Sequence, residues 1–523
     1  MILKDLKNKI NFSAAFKFIA VLFLAVFMTS CSKKVEVKGK LTNANPLERV
    51  EFIESSGVAT LPLVNLGVDK NGSFEGTFDA PKNGMYVITY GGKQGQIYLK
   101  GGEKVEITGD ASQFPTEYAV TGAAKNNNDF IKNCAVFLDT YASKLSMEQI
   151  IAKDEPSFLK EAKKIADDLN KNIDENAKKY NADKDAVEWK KDEITTSILG
   201  LLNQYEVKHA QIINKPNFKV SKNFTDYQNS LKENNDRLVA NHPQYRNYLL
   251  STMTEDFQKY SAANNKTGAL TTTQVFSELL KSKKDLSQTT KDYLLAYVIS
   301  QSDLNMNATK ESNAKLNKII DSDIKSDAVK KDLKQIEFVL SGLVEGDALP
   351  KNDLIESDGS KYSLSDLKGK PTLVMFYASW NPRIADSTLP VLKEVLDIYK
   401  SKVNFAYVNL DDTKEQFVKT SNALLKGLPG TNVYAEGGVN SKFAKDFGLY
   451  GFKLPGFLIL NKDGKIQGHY FVNLGDPEIV TILSKVSGIK APEMAPQNLQ
   501  QMMPGAQQNT SPQQAPTPPP PTK

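Results

Sequence analysis

Three patterns of hydrophobic and polar residues follow one another along the chain. In the first, apolar and polar residues alternate in short runs, as in residues 35–39 and 86–90. A period of two indicates strands with one buried face, and turn residues such as Asn71-Gly72 separate these runs. This pattern predicts a small antiparallel, β-sandwich-like domain over residues 31–120.

The second pattern covers residues 125–345, where apolar residues recur three and four positions apart. One example is Phe158, Ala162, Ile165 and Leu169. This spacing predicts amphipathic helices whose Lys, Asp and Glu residues face solvent. Pro216 and the pair His242-Pro243 should interrupt the helices. The middle of the chain is therefore predicted to be an α-helical domain.

The third pattern, over residues 346–488, alternates buried strands with a helix. The predicted elements are a strand at 371–377, a helix at 389–399, a strand at 403–410 and a hairpin at 454–460 and 466–472. Such an order indicates an α/β layer domain. The fold class is thus multidomain, with α+β and α/β parts.

The last stretch, residues 489–523, has a different composition from the rest. From residue 491 to the end there are nine prolines and seven glutamines, with almost no aliphatic side chains. A segment of this kind cannot bury a core, so the sequence predicts a disordered tail.

The first 30 residues resemble a secretory signal. Several lysines precede an unbroken apolar stretch from Phe18 to Met28, and the small residues Thr29 and Ser30 lead directly to Cys31. The run 28–31 resembles the lipobox of bacterial lipoproteins, in which the cysteine thiol is alkylated with diacylglycerol. The resemblance implies that acylated Cys31 attaches the protein to a membrane.

Composition narrows the function classes. Hydrophobic residues make up 40% of the chain and charged residues 24%, which is typical of folded protein. The net charge of +5 comes largely from the leader, so we expect no nucleic-acid partner. The three histidines lie far apart without metal-ligand spacing, and therefore we expect neither a metal nor another cofactor.

Several motifs of the third region carry a family resemblance. They are residues 346–350, residues 362–371 before the first central strand, residues 376–380 at its end, residues 453–457, and residues 461–465. Together they resemble the thioredoxin superfamily and, within it, the TlpA-like envelope thiol-disulfide oxidoreductases with redoxin domains. Residues 69–74 and 98–107 resemble a β-sandwich module that often precedes such domains in envelope lipoproteins.

The redox site of the family is altered here. In active members a Trp is followed by Cys-x-x-Cys, and the resemblance matches these two cysteines to Asn381 and Ile384. Thiol-disulfide exchange needs an attacking sulfur, which neither side chain provides. Met375 matches the position of the family's buried acid. The spacing before Pro390 differs by one residue from the usual family spacing.

Cys134 offers no obvious replacement for the missing nucleophile. It lies within an apolar helical pattern at residues 130–138, which predicts a buried small hydrophobe instead of a reactive thiol. Acylation of Cys31 would leave Cys134 without an intrachain partner. We therefore expect no autonomous redox catalysis.

The resemblance also implies a groove that binds a peptide. Pro455 matches the family's cis-proline, which lines the substrate groove, although it could equally serve only to preserve the fold. The residues predicted to hold an extended peptide are Trp380, Arg383, Leu454, Pro455 and Gly456.

Three hypotheses remain from the sequence. The first is a redox-inactive, membrane-anchored envelope protein that binds proteins or peptides or serves as a scaffold. The second is a thiol-disulfide or peroxide-related enzyme that acts with a partner's cysteines. The third is a structural protein whose helical domain carries the function. No acidic run follows Cys31, since Ser32, Lys33 and Lys34 come next, so we expect an outer-membrane anchor facing the periplasm, with surface exposure as the alternative.

Overall fold

The structure is a computed structural model that describes residues 34–58, 60–265, 268, 270–306, 309–351 and 353–491. The predicted leader, Cys31 and nearly all of the predicted tail lie outside the described residues. Among the helices in the described ranges, none is both long enough and apolar enough to cross a bilayer.

The N-terminal part is a sandwich of two four-stranded sheets, with strand orders β4-β1-β7-β8 and β3-β2-β5-β6. The strands are β1 (Lys34–Thr42), β2 (Arg49–Glu54), β3 (Pro62–Gly67), β4 (Ser73–Asp79), β5 (Gly84–Tyr90), β6 (Lys93–Leu99), β7 (Lys104–Asp110) and β8 (Tyr118–Gly122). Neighbouring strands are antiparallel except β1 and β7, which run parallel. Apolar side chains from both sheets form one core, in which the rings of Phe52 and Phe78 stack with centroids 5.1 Å apart.

The middle of the chain is helical. Its helices are α1 (Lys125–Ala142), α2 (Met147–Ala152), α3 (Glu155–Tyr180), α4 (Lys184–Ile212), α5 (Lys222–Ser230), α6 (Asn235–Asn241), α7 (Pro243–Thr252), α8 (Thr254–Asn264), α9 (Thr272–Ser282), α10 (Gln288–Ser302), α11 (Lys310–Asp323) and α12 (Asp327–Ser341). Both predicted interruptions occur, because α4 ends before Pro216 and α7 begins at Pro243. The four apolar residues of the spacing example all lie on the buried side of α3.

A buried arginine connects the helical domain to the β-domain. Arg246 is fully buried, and its guanidinium donates hydrogen bonds to the carbonyl oxygens of Val239 and Ala240 in the helical domain. It also donates to the carbonyls of Ser56 and Gly57, just after β2. Burial lowers the pKa of Arg246 to about 10. This side chain therefore holds the end of β2 against the helices.

The C-terminal part has a seven-stranded sheet with strand order β10-β9-β13-β12-β11-β14-β15 and, within the residues that the structure describes, four α-helices. The strands are β9 (Leu354–Glu356), β10 (Lys361–Tyr362), β11 (Thr372–Tyr377), β12 (Asn404–Asn409), β13 (Thr431–Tyr434), β14 (Gly456–Leu460) and β15 (Ile466–Phe471). The helices are α13 (Leu389–Tyr399), α14 (Lys414–Thr420), α15 (Lys442–Asp446) and α16 (Pro477–Ser487). Strands β11, β12 and β13 are parallel, whereas β14 and β15 are antiparallel to their neighbours.

The fold class predicted from the sequence is confirmed: a β-domain, a helical domain and an α/β domain follow one another. The central strands β11 and β14 are buried along their whole length, as their continuous apolar runs predict. The loop after β11 and the loop before β14 meet at one edge of this sheet, and that edge holds the candidate site.

Candidate functional site

Asn381 is built into the loop after β11. Its side chain is almost completely buried, and its amide nitrogen donates to the Leu454 carbonyl oxygen at 2.6 Å. Its amide oxygen accepts from the backbone N–H of Arg383 at 3.0 Å. Asn381 thus tightens the turn that begins the following helix and connects this turn to the loop before β14.

Ile384 occupies the second position that the resemblance matches to a cysteine, and it is buried in the apolar core of the α/β domain. It begins a π-helical turn, residues 384–388, in which the N–H of Leu389 donates to the carbonyl of Ile384. A π turn holds one more residue than an α turn. This turn lies between Ile384 and Pro390, where the sequence differs by one residue from the usual family spacing.

The loop before β14 lies directly opposite the loop that follows β11. The Leu454-Pro455 peptide bond is cis, as expected from the resemblance, and Leu454, Pro455 and Gly456 are all buried. The Leu454 carbonyl accepts from Asn381 and from the guanidinium of exposed Arg383, while the Leu454 N–H donates to the Gly451 carbonyl at 3.2 Å. Both backbone groups of Leu454 therefore have partners within the chain. The role of these residues in peptide binding stays a prediction.

Trp380 is half-buried between the α/β domain and the β-domain. On one side its ring approaches Gly451, where a Cβ atom would lie 3.3 Å from the indole. On another side the guanidinium carbon of Arg49, from β2, lies 4.7 Å from the ring centroid. Arg49 thus makes a cation–π contact with the residue that precedes Asn381, the first position that the resemblance matches to a cysteine.

Arg49 also forms the principal ion pair between the β-domain and the α/β domain. Its Nη1 and Nη2 atoms donate to the two carboxylate oxygens of Asp412 at 2.6 and 2.7 Å. The Arg49 side chain is 9% exposed and that of Asp412 is 26% exposed. A bidentate pair that is largely shielded from water is stronger than an ordinary surface pair.

A second polar contact accompanies this pair. The side-chain oxygen of Asn440 accepts from the backbone N–H of Asn65 at 2.9 Å, and its nitrogen donates to the Asn65 carbonyl at 2.6 Å. Asn65 belongs to β3, an edge strand of its sheet. One amide side chain therefore pairs with the backbone of this strand as a neighbouring strand would.

Arg49, Asp412 and Asn440 are not among the site residues predicted from the sequence. One signal was available for Asp412, since it and buried Asp411 come directly after the predicted buried strand at 403–410. Carboxylates at the C-terminal ends of such strands commonly reach functional edges of α/β sheets. Nothing in the local pattern around Arg49 or Asn440 indicated a role.

Cys134 lies in α1 and is buried among apolar side chains, as predicted. Burial raises the pKa of its thiol to about 11. Very little thiolate is present near neutral pH, and the side chain is not open to a macromolecular substrate. Within the described ranges, no group of three or more His, Cys, Asp or Glu residues is arranged to hold a metal.

Lys453 precedes the cis peptide and is fully buried at the contact with the helical domain. Its Nζ donates to the carbonyl of Val339 in α12 and lies 4.3 Å from the ring centroid of Tyr470. Burial lowers the pKa of Lys453 from 10.5 to about 7. The ammonium ion is therefore disfavoured here at alkaline pH.

This burial predicts a specific pH dependence of stability. Above pH 7 the unfolded chain keeps the Lys453 proton while the folded chain releases it, so the free energy of unfolding increases as pH rises. We expect a contribution on the order of 2 kcal/mol between pH 7 and pH 9. Urea unfolding at both pH values should show this increase in the native protein and its loss in Lys453→Met. Equal pH dependence in the two proteins would contradict the assignment.

Comparison with known proteins places the α/β domain in a family context. Residues 344–483 match the Redoxin family model. No curated protein matches the chain. Among solved structures, the chain is similar to the C-terminal domain of a proposed thiol-disulfide oxidoreductase from Bacteroides thetaiotaomicron, with 28% identity, a TM-score of 0.25, and coverage of 28% of this chain and 96% of that one.

Two further solved structures show the extent of this similarity. A thiol-disulfide oxidoreductase from Bacteroides fragilis NCTC 9343 is 23% identical, with a TM-score of 0.21, and the match covers 24% of this chain and 89% of that one. A proposed thiol:disulfide interchange protein DsbE from Chlorobium tepidum is 20% identical, with a TM-score of 0.23 and coverage of 27% and 99%. The similarity to these structures is confined to about a quarter of the chain.

Proposed function

The C-terminal domain is a redoxin domain of the thioredoxin-like superfamily, and we propose that the protein uses it without redox chemistry, as a binding or scaffold component of the bacterial cell envelope. The protein is held at the membrane by acylated Cys31, with its domains in the periplasm. Its partner is a protein or peptide.

One observation carries the proposal: both positions matched to the family's cysteines are occupied by residues that the fold uses. Asn381 connects two loops by hydrogen bonds, and Ile384 fills the core. The sequence contains no cysteine after Cys134, so the redoxin domain has no sulfur with which to form a mixed disulfide. The Arg49 contact on Trp380 further supports a role in binding.

Thiol labelling tests whether a reactive cysteine exists. In protein that begins at Ser32, we expect Cys134 to react with dithionitrobenzoate only after unfolding in urea, because its thiol is buried and has a raised pKa. Cys134→Ser should show no reaction in either state. Rapid labelling of the folded native protein would contradict a redox-inactive function and favour exchange with a partner's cysteines.

The anchor is tested separately. We expect Cys31→Ser to move the protein from the membrane fraction to the soluble fraction or to leave it as an unprocessed precursor, because acylation needs that thiol. Fractionation of cells followed by immunoblotting measures this, with Cys134→Ser as the matched cysteine control that stays membrane-bound. Native protein found entirely in the soluble fraction would contradict the anchor.

A further inference from the structure

Three interactions bind Arg49 at the surface around Trp380. Asp412 accepts two hydrogen bonds from the guanidinium of Arg49, and the Trp380 ring lies against its face. A planar cation with several donors matches a carboxylate and an aromatic ring better than a lysine ammonium does. These residues therefore form a receptor with chemical selectivity for arginine.

The same surface recognises backbone. Asn440 pairs with the N–H and the carbonyl of Asn65, which belong to an edge strand. Contacts of this kind depend on an extended backbone and not on the side chain that the strand carries. The receptor thus recognises an edge strand together with an arginine on the strand beside it.

The β-domain presents its arginine in a fixed orientation. The Arg49 Nε atom donates to the side-chain oxygen of Asn65 at 2.6 Å, and Nη2 donates to the Asn65 carbonyl at 3.0 Å. Because these bonds lie within the β-domain, Arg49 is oriented independently of Asp412. A pre-oriented side chain loses little conformational entropy on docking.

The contact between the β-domain and the α/β domain is narrow. A cavity of about 310 Å³ lies on the Trp380 side of the Arg49–Asp412 pair, and a cavity of about 710 Å³ lies on the other side, next to β4 and the start of α14. The two domains therefore meet here through a few polar bridges and not through a continuous apolar interface. Such a contact can separate without exposing a large hydrophobic surface.

We propose that Trp380, Asp412 and Asn440 form a recognition site for the β-sheet edge of a protein partner. The partner's sheet carries an arginine on the strand next to its edge strand. In the absence of this partner, the chain's own β-domain occupies the site in cis. This proposal rests on the proposed function, because it identifies the partner chemistry of the redoxin domain. A partner that presents the same chemistry displaces the β-domain. A permanent clamp between domains is the alternative that the experiment must distinguish.

Two variants break the Arg49–Asp412 pair from opposite sides. Arg49→Ala removes the internal ligand and leaves the receptor complete, whereas Asp412→Asn removes the carboxylate that binds arginine. The chain has only two tryptophans, so Trp189→Phe makes Trp380 the single fluorescent reporter. The probe is a cyclised peptide of residues 48–68, which carries β2 and β3, and its matched control has Arg49→Ala.

In the Trp189→Phe background, we expect both variants to increase acrylamide quenching of Trp380, because the β-domain no longer covers the indole. Arg49→Ala should bind the arginine peptide about tenfold more tightly than the parent protein binds it. Arg49→Ala should also bind the arginine peptide about tenfold more tightly than the alanine peptide. Each tenfold difference in affinity corresponds to one charged, hydrogen-bonded contact. Asp412→Asn should not distinguish the two peptides.

Gly67→Ala supplies a variant that leaves the charges in place. A Cβ atom at Gly67 would lie 2.2 Å from the Asp412 carboxylate, so the pair must separate or shift. This variant should also increase quenching and bind the arginine peptide more tightly than the parent.

Unchanged Trp380 quenching in Arg49→Ala, or equal binding of both peptides by Arg49→Ala, would overturn the proposal and leave a permanent clamp. Circular dichroism verifies that each variant is folded. Binding is measured without a disulfide substrate, so reductase activity of the native protein would contradict the proposed function alone.

Discussion

A protein that carries both Asn381→Cys and Ile384→Cys is expected to form a disulfide and to gain a thiol with a lowered pKa. The two positions lie one turn apart at the start of a helix, where the Ile384 N–H donates to the Asn381 carbonyl at 3.2 Å. Helix N-termini stabilise a thiolate. Thiolate absorbance at 240 nm as a function of pH, together with thiol counting before and after oxidation, measures both properties.

The single variants Asn381→Cys and Ile384→Cys are the controls, since neither can close a bridge within the site. Replacing buried Ile384 should lower the free energy of unfolding by about 1 to 3 kcal/mol. The variant must remain folded despite this loss for the thiol measurements to be informative. A double variant that folds but neither forms the bridge nor ionises early would show that positions 381 and 384 do not correspond to the family's redox pair.

Arg246→Met is expected to destabilise the protein by about 4 kcal/mol, because it leaves four carbonyl groups without their donor. These carbonyls belong to Val239, Ala240, Ser56 and Gly57, and the arginine side chain that pairs with them is fully buried. The loss should separate the end of β2 from the helical domain. Urea unfolding followed by circular dichroism measures the effect.

Lys104→Met is the matched control for Arg246→Met. It removes a cation of the β-domain whose side chain is 80% exposed and whose pairing with Glu36 lies at the surface. Surface pairs of this kind contribute about 1 kcal/mol or less. If Arg246→Met and Lys104→Met lose similar stability, the buried arginine does not connect the domains as described.

Local patterns predicted much of the α/β domain. The continuous apolar runs corresponded to β11, β12 and β14, and the motif resemblance correctly implied the cis bond before Pro455. These features could be predicted because each depends on residues close together in sequence. The spacing mismatch before Pro390 was visible in the sequence, although only the structure shows that a π turn lies in this segment.

The contact on Trp380 could not be predicted in this way. Arg49 and Asp412 are 363 positions apart, and although Asp412 follows a predicted strand, no local pattern pairs these two residues. The pairing depends on how the β-domain docks against the α/β domain, which no local pattern specifies. Lys453 is flanked by apolar residues and glycines at 449–457, but no local pattern distinguishes its burial from the exposure typical of lysine.

Catalysed reduction of insulin by dithiothreitol, with purified native protein, tests the absence of redox chemistry most directly. The double variant of Asn381→Cys and Ile384→Cys shows that the assay detects a working site on this scaffold. We predict that the native protein gives the same rate as dithiothreitol alone. A rate for the native protein that matches that of the double variant would contradict it.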